Sequence, residues 1–348
     1  MKKDVIVLGG GIIGLSVAYF LTKRNFSLLL IEKNDGVALE CSFGNAGGLW
    51  PSLLDGILKE LGKRSLELFD KMVKEDKLNF EYKRNGVMEV ALSYEELEEM
   101  RKENHFLTTR EVLDMEPNLS KDIKGALYHS KDAQGNCYLL AKELERRILD
   151  RGNEVRLKEE VISIKLKGRE VKGVSTNKED YYSDWVVNCC GVWANEINEK
   201  LGFKLPLRPA KGIMVTFESN KLLNTSVVSS KIGLVQNPNL RAGGTVEFVG
   251  YDKSIKEETV KFIVEEASKL LPKVKELKIV EKWAGLRPYV DDGLPIIGAL
   301  PNFSNFLIAT GHFKNGFLLS PITGKIISDM IEFGKSIEEL SPKRFFKN

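Results

Sequence analysis

Three glycines near the amino terminus have the spacing of a dinucleotide-binding turn: Gly9, Gly11 and Gly14 form the pattern G-x-G-x-x-G. In such a turn the first glycine allows a tight bend, the second lets a pyrophosphate approach the backbone, and the third lets the helix pack closely on the strand. Glu32 lies eighteen residues beyond Gly14, a distance that suits a carboxylate binding a ribose hydroxyl. The pattern predicts a dinucleotide site; the alternative is an ordinary glycine-rich turn.

A second residue whose type could bind a ligand is Arg287, which follows the strand-like run Ile279–Trp283 and Gly285. This is an unusual position for an arginine that only meets solvent. A planar guanidinium there suits bidentate binding of a carboxylate. The alternative is that Arg287 caps a buried loop or pairs with Asp291 or Asp292.

A third feature is the loop Gly311–Gly316, between the apolar strand Phe306–Thr310 and a helix predicted over 318–331. Backbone N–H groups and a helix N-terminus stabilise anions, and a reduced flavin is an anion. A glycine-punctuated connection is the plainer interpretation. The sequence has no second G-x-G-x-x-G between a strand and a helix, so it predicts one dinucleotide, and the first motif alone does not separate FAD from NAD.

The glycine motif needs a strand before it and a helix after it, and the sequence supplies both. Residues Asp4–Leu8 form an apolar β-branched run, a helical stretch extends to Leu21, and Ser27–Ile31 is a second apolar run. This is a βαβ unit of about the expected 30 residues. The same apolar region resembles a signal peptide or a membrane span, but Asp4 and the glycines argue against both.

Further elements follow from periodicity and capping signals. Apolar side chains at three- and four-residue spacing predict an amphipathic helix over 53–72. Thr108-x-x-Glu111 predicts a capping box on a short helix. From 206 to 282, strands separated by glycine turns predict a substrate-facing sheet. The other predicted elements are helices at 139–149 and near 257–271, and strands at 86–92, 154–157, 161–166, 170–176 and 185–188.

Composition narrows the class of protein. The 348 residues are 43% hydrophobic and 29% charged, and 52 Lys and Arg against 49 Asp and Glu give a net charge of +3. This balance disfavours nucleic acid as a partner. Four cysteines without a C-x-x-C pair, and three scattered histidines (His105, His129, His312), predict neither disulfides nor a metal site. A cytoplasmic location is expected, with a peripheral position on the inner face of the membrane as a variant.

The chain resembles the FAD-dependent amino-acid and amine oxidoreductases of the D-amino acid oxidase superfamily over essentially its whole length. Within that superfamily, the last two motifs are similar to glycine oxidase and archaeal proline dehydrogenases, whereas 42–51 and 241–252 look more like D-amino acid dehydrogenase. The motifs occur in the family's order: the amino-terminal glycines, Cys41–Gly48, Trp283–Pro288 continuing to Asp292–Gly298, and Gly311–Gly316.

The resemblance implies FAD as the cofactor. Arg287 would bind the substrate carboxylate. Lys314 holds the position where glycine oxidase has an arginine that touches substrate, and His312 is counted with these two as catalytic. The residues implied in cofactor binding are Gly9, Gly11, Ile12, Ile13, Gly14, Glu32, Lys33, Cys41, Ser42, Gly47, Gly48, Leu49, Val161, Gly191, Gly285, Gly311, His312, Phe313, Lys314, Asn315, Gly316, Phe317 and Leu318.

The implied reaction is oxidation of a small amino acid to an imine by hydride transfer from the α-carbon to flavin N5. A D-amino acid, proline, hydroxyproline or a glycine-like compound would be the substrate. Val246 aligns where related oxidases carry an oxygen-activating lysine, so a dehydrogenase is expected, with a quinone, dye or protein as electron acceptor rather than oxygen. The alternatives are a flavin subunit of a heteromeric dye-linked dehydrogenase, a flavin reductase for a non-amino-acid substrate, and a nucleotide sensor.

The predicted fold class is α/β plus α+β. A Rossmann-like FAD-binding domain is interleaved with an antiparallel-sheet substrate domain. The FAD-binding domain is assigned to 1–84, 136–204 and 283–348, and the substrate domain to 85–135 and 205–282. Residues near both ends of the chain would therefore serve one cofactor.

Overall fold

The computed structural model describes residues 2–102 and 106–346, so His105 lies outside the described residues. Within these ranges the α-helices are α1 (Ile12–Thr22), α2 (Gly56–Lys74), α3 (Tyr94–Met100), α4 (Thr109–Met115), α5 (Cys137–Asp150), α6 (Ala194–Asn198), α7 (Glu257–Leu270) and α8 (Gly316–Phe333). The strands are β1 (Lys3–Leu8), β2 (Leu28–Ile31), β3 (Gly48–Leu49), β4 (Val87–Ala91), β5 (Phe106–Thr108), β6 (Gly125–His129), β7 (Ala133–Gln134), β8 (Glu154–Arg156), β9 (Val161–Lys167), β10 (Glu170–Thr176), β11 (Asp180–Asn188), β12 (Arg208–Phe217), β13 (Ser226–Val228), β14 (Gly233–Gln236), β15 (Leu240–Gly243), β16 (Ile279–Tyr289), β17 (Ile296–Ala299) and β18 (Phe306–Thr310).

The first sheet is a nucleotide-binding type of sheet with the strand order β17-β18-β11-β1-β2-β8, and β10 and β9 extend from β11. Its central strands β18, β11, β1, β2 and β8 are parallel. Parallel strands covered on both faces are apolar throughout, as the fully buried LLLI of β2 illustrates. Apolar residues of α1, α2, α5 and α8 share one core with β1 and β2.

The second sheet has the order β16-β12-β15-β14-β13-β4-β6-β5. Its pairs are antiparallel except for β13 and β4, which run parallel. Helix α7 covers one face, where Val260, Ile263 and Ala267 join the sheet's core. The other face is turned towards the cavity described below. The predicted fold class, α/β plus α+β with a Rossmann-like and an antiparallel part, is confirmed.

The chain crosses between the two sheets several times, and the assigned domain limits can be compared with the strands. The limits at 84/85, 135/136 and 204/205 fall between strands. The limit at 282/283 falls inside β16, and the whole of β16 pairs with β12 in the second sheet. We therefore propose that the last FAD-binding segment begins after Tyr289, because a strand belongs to the sheet that it completes.

Several local predictions can be checked against the elements. The capping box forms as predicted, with the Thr108 side chain accepting from the Glu111 N–H and the Glu111 side chain accepting from the Thr108 N–H. The helix predicted over 53–72 begins at Gly56, because Pro51–Leu53 form a separate 3₁₀ turn. None of the helices in the described ranges combines the length and the apolar composition that a membrane span requires.

Candidate cofactor and substrate site

A cavity of about 760 Å³ runs between the two sheets, from the β1–α1 turn to Arg287 and Lys314. Its volume lies in the usual range for cofactor and ligand sites. The lining comes from elements near both ends of the chain, including Gly9 and Phe317. The fold therefore brings the amino-terminal glycine motif and the 311–316 loop to one continuous space.

Two glycines of the β1–α1 turn are required by the protein itself. Gly9 has φ +96°, and a Cβ added there would lie 2.8 Å from the Cys189 carbonyl oxygen. A Cβ at Gly14 would lie only 1.9 Å from the Gly9 carbonyl oxygen, so any side chain would separate α1 from β1. These distances match the tight bend and the close helix contact that the motif predicts.

Gly11 is different, because the surrounding protein leaves room for a side chain. A Cβ there would meet only Ser42 Oγ, at 3.6 Å, and Gly11 lines the cavity. It is the N-cap of α1 and has no side-chain cap, while the next amide, that of Ile12, donates to Ser42 Oγ over 3.0 Å. Because the surrounding protein would tolerate a side chain at Gly11, a bound group that approaches the backbone would explain the glycine. A pyrophosphate at a helix N-terminus is such a group.

The Glu32 carboxylate lies at the end of β2, is almost fully buried and lines the cavity. Its Oε2 accepts from the Gly10 N–H over 2.6 Å, and its Oε1 accepts from the Asn34 N–H over 2.8 Å. Backbone donors on both oxygens hold the carboxylate in one orientation beside the turn. The adjacent Lys33 places its Nζ 4.5 Å from the ring centroid of Trp193, at the same end of the cavity.

Most of the predicted cofactor residues line this cavity. Four do not, and each of these four has a packing or backbone role within the protein. Gly14 packs against Gly9, the Gly47 backbone has φ +111°, Leu49 is fully buried, and Gly311 has φ +76°. The predicted residues that line the cavity are Gly9, Gly11, Ile12, Ile13, Glu32, Lys33, Cys41, Ser42, Gly48, Val161, Gly191, Gly285, His312, Phe313, Lys314, Asn315, Gly316, Phe317 and Leu318.

The 311–316 loop forms a 3₁₀ turn that leads directly into α8. Phe313 has φ +47°, which is uncommon for a residue with a side chain and marks a constrained turn. His312 is buried, and its Nε2 lies 2.9 Å from Thr323 Oγ1 in α8. Burial lowers the pKa of His312 to about 3, so the ring is neutral at physiological pH. These contacts favour a supporting role for His312 over proton transfer.

Arg287 lies in β16 and is half-buried, with its guanidinium facing the cavity. Its Nη1 donates to the Thr245 carbonyl oxygen over 2.9 Å. Burial lowers the pKa of the guanidinium, and no carboxylate of the described residues opposes that effect. The two acidic neighbours considered from the sequence are engaged elsewhere, Asp291 with Arg208 and Asp292 with Arg344. A half-buried cation without an anionic partner is equipped to bind an anion.

Trp283 forms part of the cavity wall beside Arg287. A Cβ at Gly44 would lie 1.7 Å from the Trp283 ring and one at Gly285 would lie 2.0 Å from it, so the indole rests on both glycines. Met214, opposite Trp283 on β12, also lines the cavity. Met214 and Gly212 were missed in the sequence; a glycine inside a strand is the signal that could have indicated Gly212.

Three residues close in sequence to this end of the site lie outside the cavity lining. Tyr251 and Tyr289 are not among the residues that line the cavity, and the Tyr251 side chain is 56% exposed. Val246 is also outside the lining and is partly exposed. Val246 and Tyr251 belong to the loop that follows β15, whereas Tyr289 is the last residue of β16.

Lys314 and Cys41 complete the charged and polar surroundings of Arg287. Burial, followed by the positive charge of Arg287, lowers the pKa of Lys314. Burial raises the pKa of the Cys41 thiol, and the Arg287 charge opposes this only in part. Cys41 is thus a neutral thiol, and two cations share this end of the cavity. No three His, Cys, Asp or Glu side chains within 2–102 and 106–346 are placed to share a metal ion.

Comparison with known proteins agrees with this geometry. The model of the FAD dependent oxidoreductase family matches residues 4–330. The chain belongs to this family. The resemblance inferred from the four motifs is thereby confirmed, and FAD is the cofactor of the family. The open Gly11 backbone, the oriented Glu32 carboxylate and the continuous cavity fit an extended dinucleotide.

Relatives in the family match the chain over nearly its whole length. Glycine oxidase from Geobacillus kaustophilus is 27% identical over 98% of this chain and 96% of its own. D-amino acid dehydrogenase from Neisseria gonorrhoeae is 26% identical over 99% of both chains. The crystal structure of L-proline dehydrogenase from P. horikoshii has a TM-score of 0.91 and 26% identity, covering 99% of this chain and 98% of its own.

Proposed function

We propose that this FAD-dependent oxidoreductase oxidises a small α-amino acid to the corresponding imine. The observation that carries the proposal is the Arg287 guanidinium, which faces the cavity without an anionic partner among the described residues. The charge of Lys314 lies close enough to interact with it. A carboxylate is the anion that a small amino acid offers to this pair, and the similar glycine oxidase and D-amino acid dehydrogenase act on such compounds.

The cavity residues have separate tasks in this reaction. When bound, FAD supplies the hydride acceptor at N5. Arg287 holds the substrate carboxylate and thereby orients the Cα–H bond, while the Trp283 ring and Met214 provide apolar contact for the side chain. Orientation of this kind lowers the barrier without a general base, provided that the amine is neutral. The neutral His312 supports the loop that begins α8, whose backbone N–H groups would stabilise the reduced cofactor.

We also propose that the electron acceptor is a quinone, a dye or a protein rather than oxygen. The resemblance to the family places Val246 where related oxidases carry a lysine. Val246 lies outside the cavity lining, so this side chain supports the assignment only by sequence. A measurement of hydrogen peroxide release under air decides between the two acceptor types, and rapid release without an added acceptor would overturn the dehydrogenase assignment.

The reaction is tested by anaerobic bleaching of the yellow holoprotein. We expect the flavin absorbance to disappear on mixing with at least one compound among D- and L-proline, hydroxyproline, glycine, sarcosine and D-alanine. The matching carboxamides serve as controls, because they lack the charge that Arg287 would bind. Bleaching by a carboxamide as fast as by its amino acid would contradict the role of Arg287. A holoprotein that no amino acid bleaches would favour the reductase or heteromeric-subunit alternatives.

A further inference from the structure

The Arg287 guanidinium does not lie over its own strand but across the neighbouring strand β12. A Cβ added at Gly212 would lie 2.0 Å from both Nη1 and Nη2 of Arg287. The guanidinium thus occupies the space that a side chain on β12 would fill. Its Nη1 then reaches the Thr245 carbonyl oxygen, 2.9 Å away, on the far side of β12. The position of Arg287 therefore depends on two segments other than β16.

Thr245 is itself tied to β12. The Ile213 N–H donates to Thr245 Oγ1 over 2.8 Å. Two residues further on, Lys211 and Glu247 exchange backbone hydrogen bonds of 2.8 and 2.9 Å. The segment 245–247 thus continues along β12 after β15 has ended at Gly243. Any shift of this segment would move the carbonyl oxygen that Arg287 contacts.

The side chain of Lys211 secures the same segment from the opposite face of the sheet, since adjacent residues of a strand point to opposite faces. Lys211 is fully buried, with 0% of its side chain exposed. Its Nζ donates to the Ser254 carbonyl oxygen over 2.9 Å and lies 3.1 Å from Glu247 Oε2 and 3.9 Å from Asp252 Oδ2. A buried ammonium is costly unless it is paired, so the loop 247–254 is held tightly around it.

We propose that Lys211 and Gly212, adjacent residues of β12, are positioning residues for Arg287. Gly212 gives the guanidinium its place on the sheet, and Lys211 fixes the loop that supplies the Thr245 carbonyl oxygen. Neither residue needs to touch the substrate. This proposal rests on the proposed function, in which Arg287 binds the substrate carboxylate.

Gly212→Ala tests the first half of the proposal. The probes are pyrrole-2-carboxylate and its neutral amide, pyrrole-2-carboxamide, and their dissociation constants are measured on the holoprotein from changes in flavin absorbance. We expect Gly212→Ala to weaken binding of the carboxylate at least about 30-fold and to leave that of the amide within about 2-fold. The matched control is Gly233→Ala in β14 of the same sheet, where the nearest atom to a new Cβ is 3.4 Å away. Equal losses for both ligands, or none, would overturn the role of Gly212.

Lys211→Met and Lys211→Arg test the second half. Lys211→Met should lower the preference for carboxylate over amide about 10-fold, and Lys211→Arg, which keeps the charge, should restore most of it. Where Lys211→Met fails to fold, Glu247→Gln provides the measurement, with an expected loss of about 3-fold. Lower thermal stability with an unchanged preference would show a merely structural lysine and overturn the proposal.

The outcome for Arg287→Ala separates this proposal from the proposed function. If wild type does not prefer the carboxylate, or if Arg287→Ala keeps that preference, the carboxylate role of Arg287 fails and the positioning proposal falls with it. If Arg287→Ala loses the preference while Gly212→Ala and Lys211→Met retain it, only the positioning proposal fails.

Discussion

The two ends of the cavity are built in different ways. At the cofactor end, the chemistry belongs to the backbone of one short segment, the β1–α1 turn, together with the Glu32 carboxylate at the end of the next strand. At the proposed substrate end, it belongs to side chains that come together from β12, β16 and the loop that begins α8. Short-range geometry suffices for the first end, whereas the second depends on the pairing of strands far apart in sequence.

Glycine illustrates the same difference. In the β1–α1 turn, Gly9 and Gly14 are needed by the turn itself. On the second sheet, Gly212 and Gly285 are paired with each other and are needed by the side chains of Arg287 and Trp283. At the cofactor end, a glycine is thus required by its immediate backbone neighbours. At the other end, it is required by a side chain that the folded sheet brings over it.

The largest expected effect concerns the substrate end. Arg287→Ala should reduce kcat/KM for the substrate about 30-fold or more, a loss of about 2–5 kcal/mol of transition-state binding, because the carboxylate loses the guanidinium that faces the cavity. FAD content should stay unchanged. Arg208→Ala is the matched control, since Arg208 pairs with Asp291 outside the cavity. Steady-state kinetics and the absorbance ratio of flavin to protein check both. Loss of FAD from Arg287→Ala would show that Arg287 also holds the cofactor, and would contradict the assignment of separate tasks to the two ends of the cavity.

The next effect concerns the cofactor end. Gly14→Ala places a Cβ 1.9 Å from the Gly9 carbonyl oxygen and should cost about 1–3 kcal/mol of unfolding free energy. Gly11→Ala places its Cβ in ordinary contact with Ser42 Oγ, 3.6 Å away, and should leave apoprotein stability unchanged while weakening FAD binding. Urea unfolding of the apoprotein and titration with FAD distinguish the two. Equal destabilisation by both substitutions would show that Gly11 is not reserved for the cofactor.

A pH effect of intermediate size is expected at the junction of the two ends. The His312 pKa is about 3 in the folded protein and about 6.5 when unfolded, so the unfolded state takes up the proton first as pH falls. The contribution of His312 to stability is therefore largest above pH 6.5 and declines towards pH 3, by about 2 kcal/mol between pH 7.5 and 5. Urea unfolding across this range should show the decline in wild type and a smaller one in His312→Asn. An identical slope in both proteins would mean that His312 does not cause it.

The smallest effect concerns Lys314. Because burial and the Arg287 charge lower its pKa, Lys314 loses its proton at a lower pH than an ordinary lysine. Carboxylate affinity should therefore decline at alkaline pH in wild type, and Lys314→Arg should keep it to higher pH. Lys314→Met should weaken carboxylate binding by up to about 5-fold at neutral pH. Titration of pyrrole-2-carboxylate into the holoprotein at several pH values gives this comparison, and the same pH profile for wild type and Lys314→Arg would exclude Lys314 from the site.

The elements with local sequence signals could be predicted before the structure was known. The βαβ unit, the capping box of α4 and the family were all predicted, because a glycine turn, an N-cap and a set of motifs are each contained in a few adjacent residues. The residues of the 311–316 loop were also identified in this way, and most of them line the cavity.

The contacts that hold Arg287 and the end of the second sheet became visible only in the folded chain. The pairing of β12 with β16 brings Gly212 under the guanidinium and assigns 283–289 to the second sheet. The loop after β15 brings Thr245 to Arg287 and turns Val246 away from the cavity. Such contacts join residues about 40 to 75 positions apart, and their register depends on the packing of the whole sheet rather than on local preference.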